Sequence, residues 1–180
     1  MPSSRPLASA APERLTVEDL TAPMSGHCTC CEHMLAAATV SGRPLCLTCA
    51  PAYALDEPGI DDVATLIWLP HLDQGALGRC VTALHVAARA AGHTVYDQAL
   101  SGQALSAKRA FEALLSCRLG AIEKIGTDRP SLYRSALKSL SRNPLPEAHE
   151  TGLRILMKGT WFPDNPRRYL DAAQEWAVAR

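Results

Sequence analysis

The residues of this chain best suited to chemistry are its cysteines. There are seven, and five of them fall between Cys28 and Cys49. Cys28 and Cys31 form one C-x-x-C pair and Cys46 and Cys49 form a second. Fourteen residues lie between the pairs, one fewer than the usual range for zinc ribbons. A C-x-x-C turn presents two thiolates from one knuckle, and two knuckles complete the tetrahedron that zinc accepts. Four sulfurs close the coordination shell and leave no position at which a water could be activated. The spacing therefore predicts a structural Zn2+ on Cys28, Cys31, Cys46 and Cys49, with no catalytic residue. Cys30 can replace Cys31 to give C-x-C, and His27 or His33, both beside the first knuckle, can replace a cysteine; the two matched pairs are the simpler solution.

Bringing the knuckles together requires a hairpin, and the intervening sequence supplies one. Residues 34–40 are mostly small or β-branched, Ser41-Gly42 marks a turn, and Pro44-Leu45 leads into the second pair. Residues 50–62 then carry two prolines, one glycine and four acidic residues, the composition of a surface connection. Three segments follow from this: a flexible Pro/Ser/Ala leader over 1–22, a zinc-binding hairpin module over 23–62, and a helical domain over 63–180 packed with it as one unit.

The composition fits that plan. A chain of 180 residues buries roughly 70% of its unfolded surface, enough for a core. Aromatics are only 5% and alanine is plentiful, which favours helices packed closely through small residues. Lys plus Arg and Asp plus Glu both number 18, so no broad cationic field draws in nucleic acid. The longest strongly apolar run, 64–69, is far shorter than a bilayer span. The odd, clustered cysteines suit a metal site in a reducing compartment better than a disulfide framework, which predicts a cytoplasmic protein.

Residues 64–70, an apolar run closed by proline, read as one buried strand that can pair with the zinc hairpin. From Asp73, a helix cap, Leu77, Val81, Leu84 and Ala88 recur at helical spacing up to Gly92. Cys80 and His85 adjoin that face and read as core or boundary residues. A second helix is expected from a Ser106 cap through Phe111, Leu115, Leu119, Ile122 and Ile125 to Gly126, with Cys117 inert within it. A third opens at Asp128-Pro130, buries Leu132, Tyr133, Ala136, Leu137 and Leu140, and ends at Asn143-Pro144. A fourth is expected over 147–157, weakened by Gly152. The last begins at Pro166, capped by Asn165, with Tyr169, Leu170, Ala173 and Trp176 on its apolar stripe. The expected fold class is α+β, mainly α, with a four-cysteine hairpin before about five helices.

The run Ala64-Thr65-Leu66-Ile67-Trp68-Leu69-Pro70-His71-Leu72-Asp73-Gln74, placed after two cysteine pairs, resembles the DotN (IcmJ) proteins of Dot/Icm-type, or type IVB, secretion systems. The similarity covers the chain from Cys28 to the Trp176 segment. It implies a small zinc protein of the coupling complex that binds the cytoplasmic C-terminal tail of the coupling ATPase and sits, through its partners, at the cytoplasmic face of the inner membrane. Conjugative transfer is an equally fitting setting. Cys28, Cys31, Cys46 and Cys49 take the family's metal-binding positions. The chain departs from the family in a shorter N-terminal part and a compact, alanine-rich segment between the knuckles.

Two rival chemistries compete with that reading. An HNH-type nuclease also builds cysteine knuckles around a hairpin, but between Cys31 and Cys46 there is one histidine, His33, and no asparagine or aspartate to hold a hydrolytic metal. A nucleic-acid-binding ribbon would use Arg167, Arg168, Lys108, Arg109, Lys124 and Lys138, charges that also serve simply to solvate helix faces. For a docking protein, the expected surface is a groove between helices, with Trp161, Phe162 and Trp176 as its edges or as core.

Overall fold

The computed structural model describes residues 15–16, 26–139 and 152–179. The fold is mixed α+β. In chain order it runs β1 (Leu15–Thr16), β2 (Ala38–Val40), β3 (Arg43–Leu45), α1 (Ile60–Val63), β4 (Ala64–Trp68), α2 (Gln74–Ala90), α3 (Gly102–Ser116), α4 (Arg118–Ile125), α5 (Pro130–Ser139), β5 (Leu153–Met157) and α6 (Arg168–Val178). Most of the expected leader lies outside the described residues, but Leu15–Thr16 within it is a strand paired with β2.

The hairpin between the knuckles turns where the sequence places it. Ser41 and Gly42 both take positive φ, 50° and 75°, the pattern of a two-residue turn whose twist matches the strands it joins. Val40 faces Arg43, and Ala38 faces Leu45. Strand β4 does not pair with this hairpin. Its partner is β5, antiparallel, with Leu66 opposite Ile155. The expected helix over 147–157 is thereby corrected: Leu153–Met157 is a strand, and the residues before Gly152 lie outside the described part. A five-residue apolar run has no period long enough to separate helix from strand, and here the open edge of β4 decides.

Both outer edges of this two-stranded sheet are covered. On β4, Leu66 N–H donates to the Asp128 carbonyl at 2.8 Å and Trp68 N–H to the Cys117 carbonyl at 3.0 Å. On β5, the Gln74 side chain both donates to Ile155 O and accepts from Ile155 N–H, each at 2.9 Å, and so stands in for a third strand. The Cys117 contact accounts for another correction. The expected continuous helix from Ser106 to Gly126 is two helices, α3 and α4, broken at Cys117, whose carbonyl turns to β4. Ser106 is no cap; its hydroxyl donates back to Gly102 O one turn into α3. Gly120 and Gly152 lie against Trp68, where an added Cβ would come within 2.9 Å of Trp68 Cβ and 2.5 Å of the indole, respectively.

Helix α2 follows expectation: Asp73 Oδ1 accepts from Ala76 N–H at 2.7 Å, and Leu77, Val81 and Ala88 are buried. Helix α5 buries Tyr133 and Leu137, while Leu132 is exposed and Leu140, Asn143 and Pro144 lie outside the described residues. Helix α6 starts two residues later than expected, at Arg168, after a turn in which Arg168 N–H donates to Asn165 O. A single buried cluster joins the four cysteines, β4, β5, α2 and α6. Among the described residues no helix is long and apolar enough to cross a membrane.

Candidate metal centre

Cys28, Cys31, Cys46 and Cys49 come together. Their sulfurs all lie within 4.8 Å of one another, and none of the four residues is more than 2% exposed. Four sulfurs at 2.3 Å from one tetrahedral ion stand about 3.8 Å apart. Cys31 Sγ and Cys46 Sγ, one from each knuckle, are 3.8 Å apart. The donor set thus fits a single tetrahedral ion.

Local backbone geometry builds each knuckle. In the first, Glu32 N–H donates to Cys28 O and Cys28 N–H to Met34 O, both at 2.8 Å, and Glu32 takes φ of 56° to close the turn. In the second, Cys49 and Ala50 N–H both point back to Cys46 O. The knuckles are joined through β3: Thr29 donates from its amide and its hydroxyl to Pro44 O.

With four sulfurs this close, the protons divide unevenly. Hydrogen bonds from Cys28, Cys46 and Cys49 draw the Cys31 thiol far down. Cys28 comes down to about 6: its contact with Cys31 opposes the shift, and those with Cys46 and Cys49 outweigh it. Sharing with Cys28 and Cys31 pushes Cys46 up, and sharing with Cys28, Cys30 and Cys31 pushes Cys49 up. A bound divalent cation would favour all four thiolates at once.

The other candidate ligands lie elsewhere. His27 is exposed and bridges Leu35, His33 is exposed, and neither belongs to the sulfur group. Cys30 is half-buried outside the group; hydrogen bonding to Cys49 lowers its thiol, against the opposing effect of burial. Cys80 is exposed, and Cys117 marks the break between α3 and α4.

Helix α2 forms a wall of the centre, a feature the cysteine pattern alone does not reveal. An added Cβ at Gly75 would lie 2.2 Å from the Cys30 carbonyl oxygen, and one at Gly78 would lie 2.8 Å from Cys49 Sγ. Arg79 donates to Cys31 O at 2.8 Å and sets a positive charge beside a cluster that four thiolates make negative. Thr82 donates to Gly78 O, which leaves the Thr48 hydroxyl to donate to Thr82 across 2.7 Å, from the second knuckle to the helix. The signal in the sequence was the pair of small residues three apart, Gly75 and Gly78, on one helix face.

No family model matches this chain, and no curated protein matches it. Among the cations that a nucleic-acid-binding ribbon would use, Arg168 is buried: it donates to Ala37 O at 2.7 Å and stacks 5.3 Å from the Trp161 ring centre. Lys108 and Lys138 are bound to Asp97 O and the Asp56 carboxylate, and Lys124 lies near Glu123. Trp161 and Phe162, each 2% exposed, are core and not the edges of a groove; Trp176 is half-buried, edge-on to Tyr169. Their burial follows from position: they lie a few residues after β5, inside the buried cluster that also contains Tyr169 of α6.

Proposed function

We propose that this protein is a zinc-stabilised, non-enzymatic adaptor of a type IVB secretion or conjugative coupling complex, binding the cytoplasmic tail of the coupling ATPase. The observation that carries the zinc reading is the convergence of Cys28, Cys31, Cys46 and Cys49, buried and within 4.8 Å. An iron–sulfur cluster, several atoms across, would hold its cysteine sulfurs farther apart than one ion does. Closed four-sulfur coordination supports a structural ion, whose binding contributes directly to folding.

The adaptor reading draws on the resemblance of the strand and helix start after the knuckles to DotN proteins. It is also supported by α4. Leu119 and Ile122, three apart on one face, are 65% and 42% exposed, and only Ala121 of that helix is buried. Such a stripe suits an amphipathic partner segment.

Two measurements test the proposal. Elemental analysis of the purified protein is expected to give one zinc per chain, and a strong chelator to unfold it; a metal-free protein that stays folded with free thiols refutes the zinc reading. Purification of the tagged chain from its host is expected to recover a coupling-type ATPase, and Leu119→Glu with Ile122→Glu to lose it while the thermal melt is unchanged. Reproducible absence of such an ATPase refutes the adaptor reading.

A further inference from the structure

A cavity of about 400 Å³ opens where α1, the end of α2, the exit of β5 and α6 meet, away from the metal centre. Its volume falls in the range of pockets that take small organic ligands. His85 and Arg89, four apart on α2, share one face and line it, with Lys158, Asp62, Val95 and Leu170.

The wall of this cavity contains polar groups that the fold leaves unmatched. His85 is 4% exposed, yet neither ring nitrogen has a hydrogen-bond partner among the described residues, and Arg89 Nε is likewise buried without one. A buried polar group left without a partner destabilises the fold. A phenylalanine at position 85 would escape that cost and keep the ring packing. His85 is nonetheless held closely, with ring centres 5.2 Å from both Phe111 and Tyr169. Gly159, at φ of 91°, makes room for it: a Cβ there would sit 2.6 Å from His85 Cε1.

The charges indicate the ligand. Arg89 and Lys158 bring two positive charges and Asp62 one negative, leaving one positive charge to be balanced. Lys158 is oriented by donating to Asp61 O, and Tyr96 by donating to Lys158 O at 2.7 Å. At the end of α2, Ala88 O accepts from Ala91 and His93 N–H and Arg89 O accepts from Gly92 N–H, so both carbonyls are already engaged. Val95 and Leu170 supply apolar wall, and a guanidinium matches a carboxylate in a planar fork.

From this geometry we infer that the cavity is a binding site for a small organic monoanion, a carboxylic acid with an apolar body, held by Arg89 and Lys158 and hydrogen-bonded by His85. The site goes beyond the adaptor reading and does not depend on it. The imidazole, pushed down to about 4 by burial, is neutral at physiological pH and offers one donor and one acceptor.

The test is an amide NMR titration of the metal-loaded full chain with hydrocinnamate, octanoate and the neutral twin hydrocinnamamide. Both acids are expected to shift Val95, Tyr96 and Gly159 saturably, and the amide to bind about tenfold more weakly. Arg89→Gln should weaken the acids about tenfold and leave the amide unaffected. His85→Phe, which keeps the ring packing, should weaken all three probes, with Arg109→Gln on the exposed face of α3 as the unchanged control. Equal binding of acid and amide, wild-type affinity in Arg89→Gln, or no saturable shift at millimolar probe would overturn the site. So would shifts confined to residues outside the cavity.

Discussion

Gly75→Ala offers a sign test of how α2 meets the metal centre. At an open helical position alanine is better than glycine by about 1 kcal/mol. At Gly75 the new methyl would fall 2.2 Å from Cys30 O and 3.0 Å from Cys30 C, both backbone atoms. An ordinary contact there is about 1 Å longer, so the knuckle or the helix must retreat by about that distance, an overpacking that costs about 1–3 kcal/mol. A retreat of that size also breaks the 2.8 Å bond from Arg79 to Cys31 O, a charged hydrogen bond worth about 1.5–3 kcal/mol. Less the helical gain, the net loss is about 3 kcal/mol, which for a chain of this length lowers Tm by about 6–12 °C. The assay is a thermal melt of zinc-loaded protein, paired with a chromophoric chelator competition for the metal. Both Tm and zinc affinity are expected to fall. A variant as stable as the parent, or more so, with unchanged metal affinity would refute the close seating of α2 on the first knuckle.

Cys49→Ser should abolish stoichiometric zinc and unfold the hairpin, whereas Cys80→Ser should leave zinc content unchanged by elemental analysis, because Cys80 is exposed and outside the sulfur group. Arg134→Met should cost about 3 kcal/mol in denaturant unfolding, since the guanidinium and Asp56 face each other at 3.0 Å with side chains only 3% and 9% exposed. Burial pushes His85 down to about 4 from 6.5, so below pH 6.5 the unfolded chain takes up a proton that the native chain refuses. Native stability then falls as pH drops from 6.5 toward 4, by up to about 3 kcal/mol, and the difference between the parent and His85→Phe, which share the metal centre, should trace that loss. A constant difference across the window would contradict it.

The parts of this fold legible in the sequence are those set by local chemistry. The two C-x-x-C spacings name the residues that converge, Ser41-Gly42 names the turn between them, and Asp73 and Gly92 mark the bounds of α2 to within a residue or two. What escaped was decided at long range. Leu153–Met157 becomes a strand because β4 lacks a partner on that side, and nothing within the segment records that need. The helix after Ser101 breaks at Cys117 because its carbonyl is required 49 positions away in sequence, by Trp68 N–H. Trp161 and Phe162 could be read as groove edges or as core, and their place in the buried cluster makes them core. The role of α2 at the metal centre was half visible, in Gly75 and Gly78, but small residues on a helix face do not say what approaches them.

One helix connects the two sites. Successive turns of α2 set Gly75, Gly78 and Arg79 against the knuckles, then Thr82 against Thr48, then His85 and Arg89 in the wall of the cavity. Tyr169 of α6 bridges the same two regions: its hydroxyl lies among Thr48 and Thr82, and its ring stands edge-on to His85. A metal that holds Cys46 and Cys49 in place would also hold Thr48 between them, and with it the Thr48–Thr82 hydroxyl pair. An ion bound there, though closed to substrate, would fix more than a hairpin. The register of α2 that it would set at one end would bear on where His85 and Arg89 stand at the other, because a helix transmits displacement and rotation along its length as a rigid element.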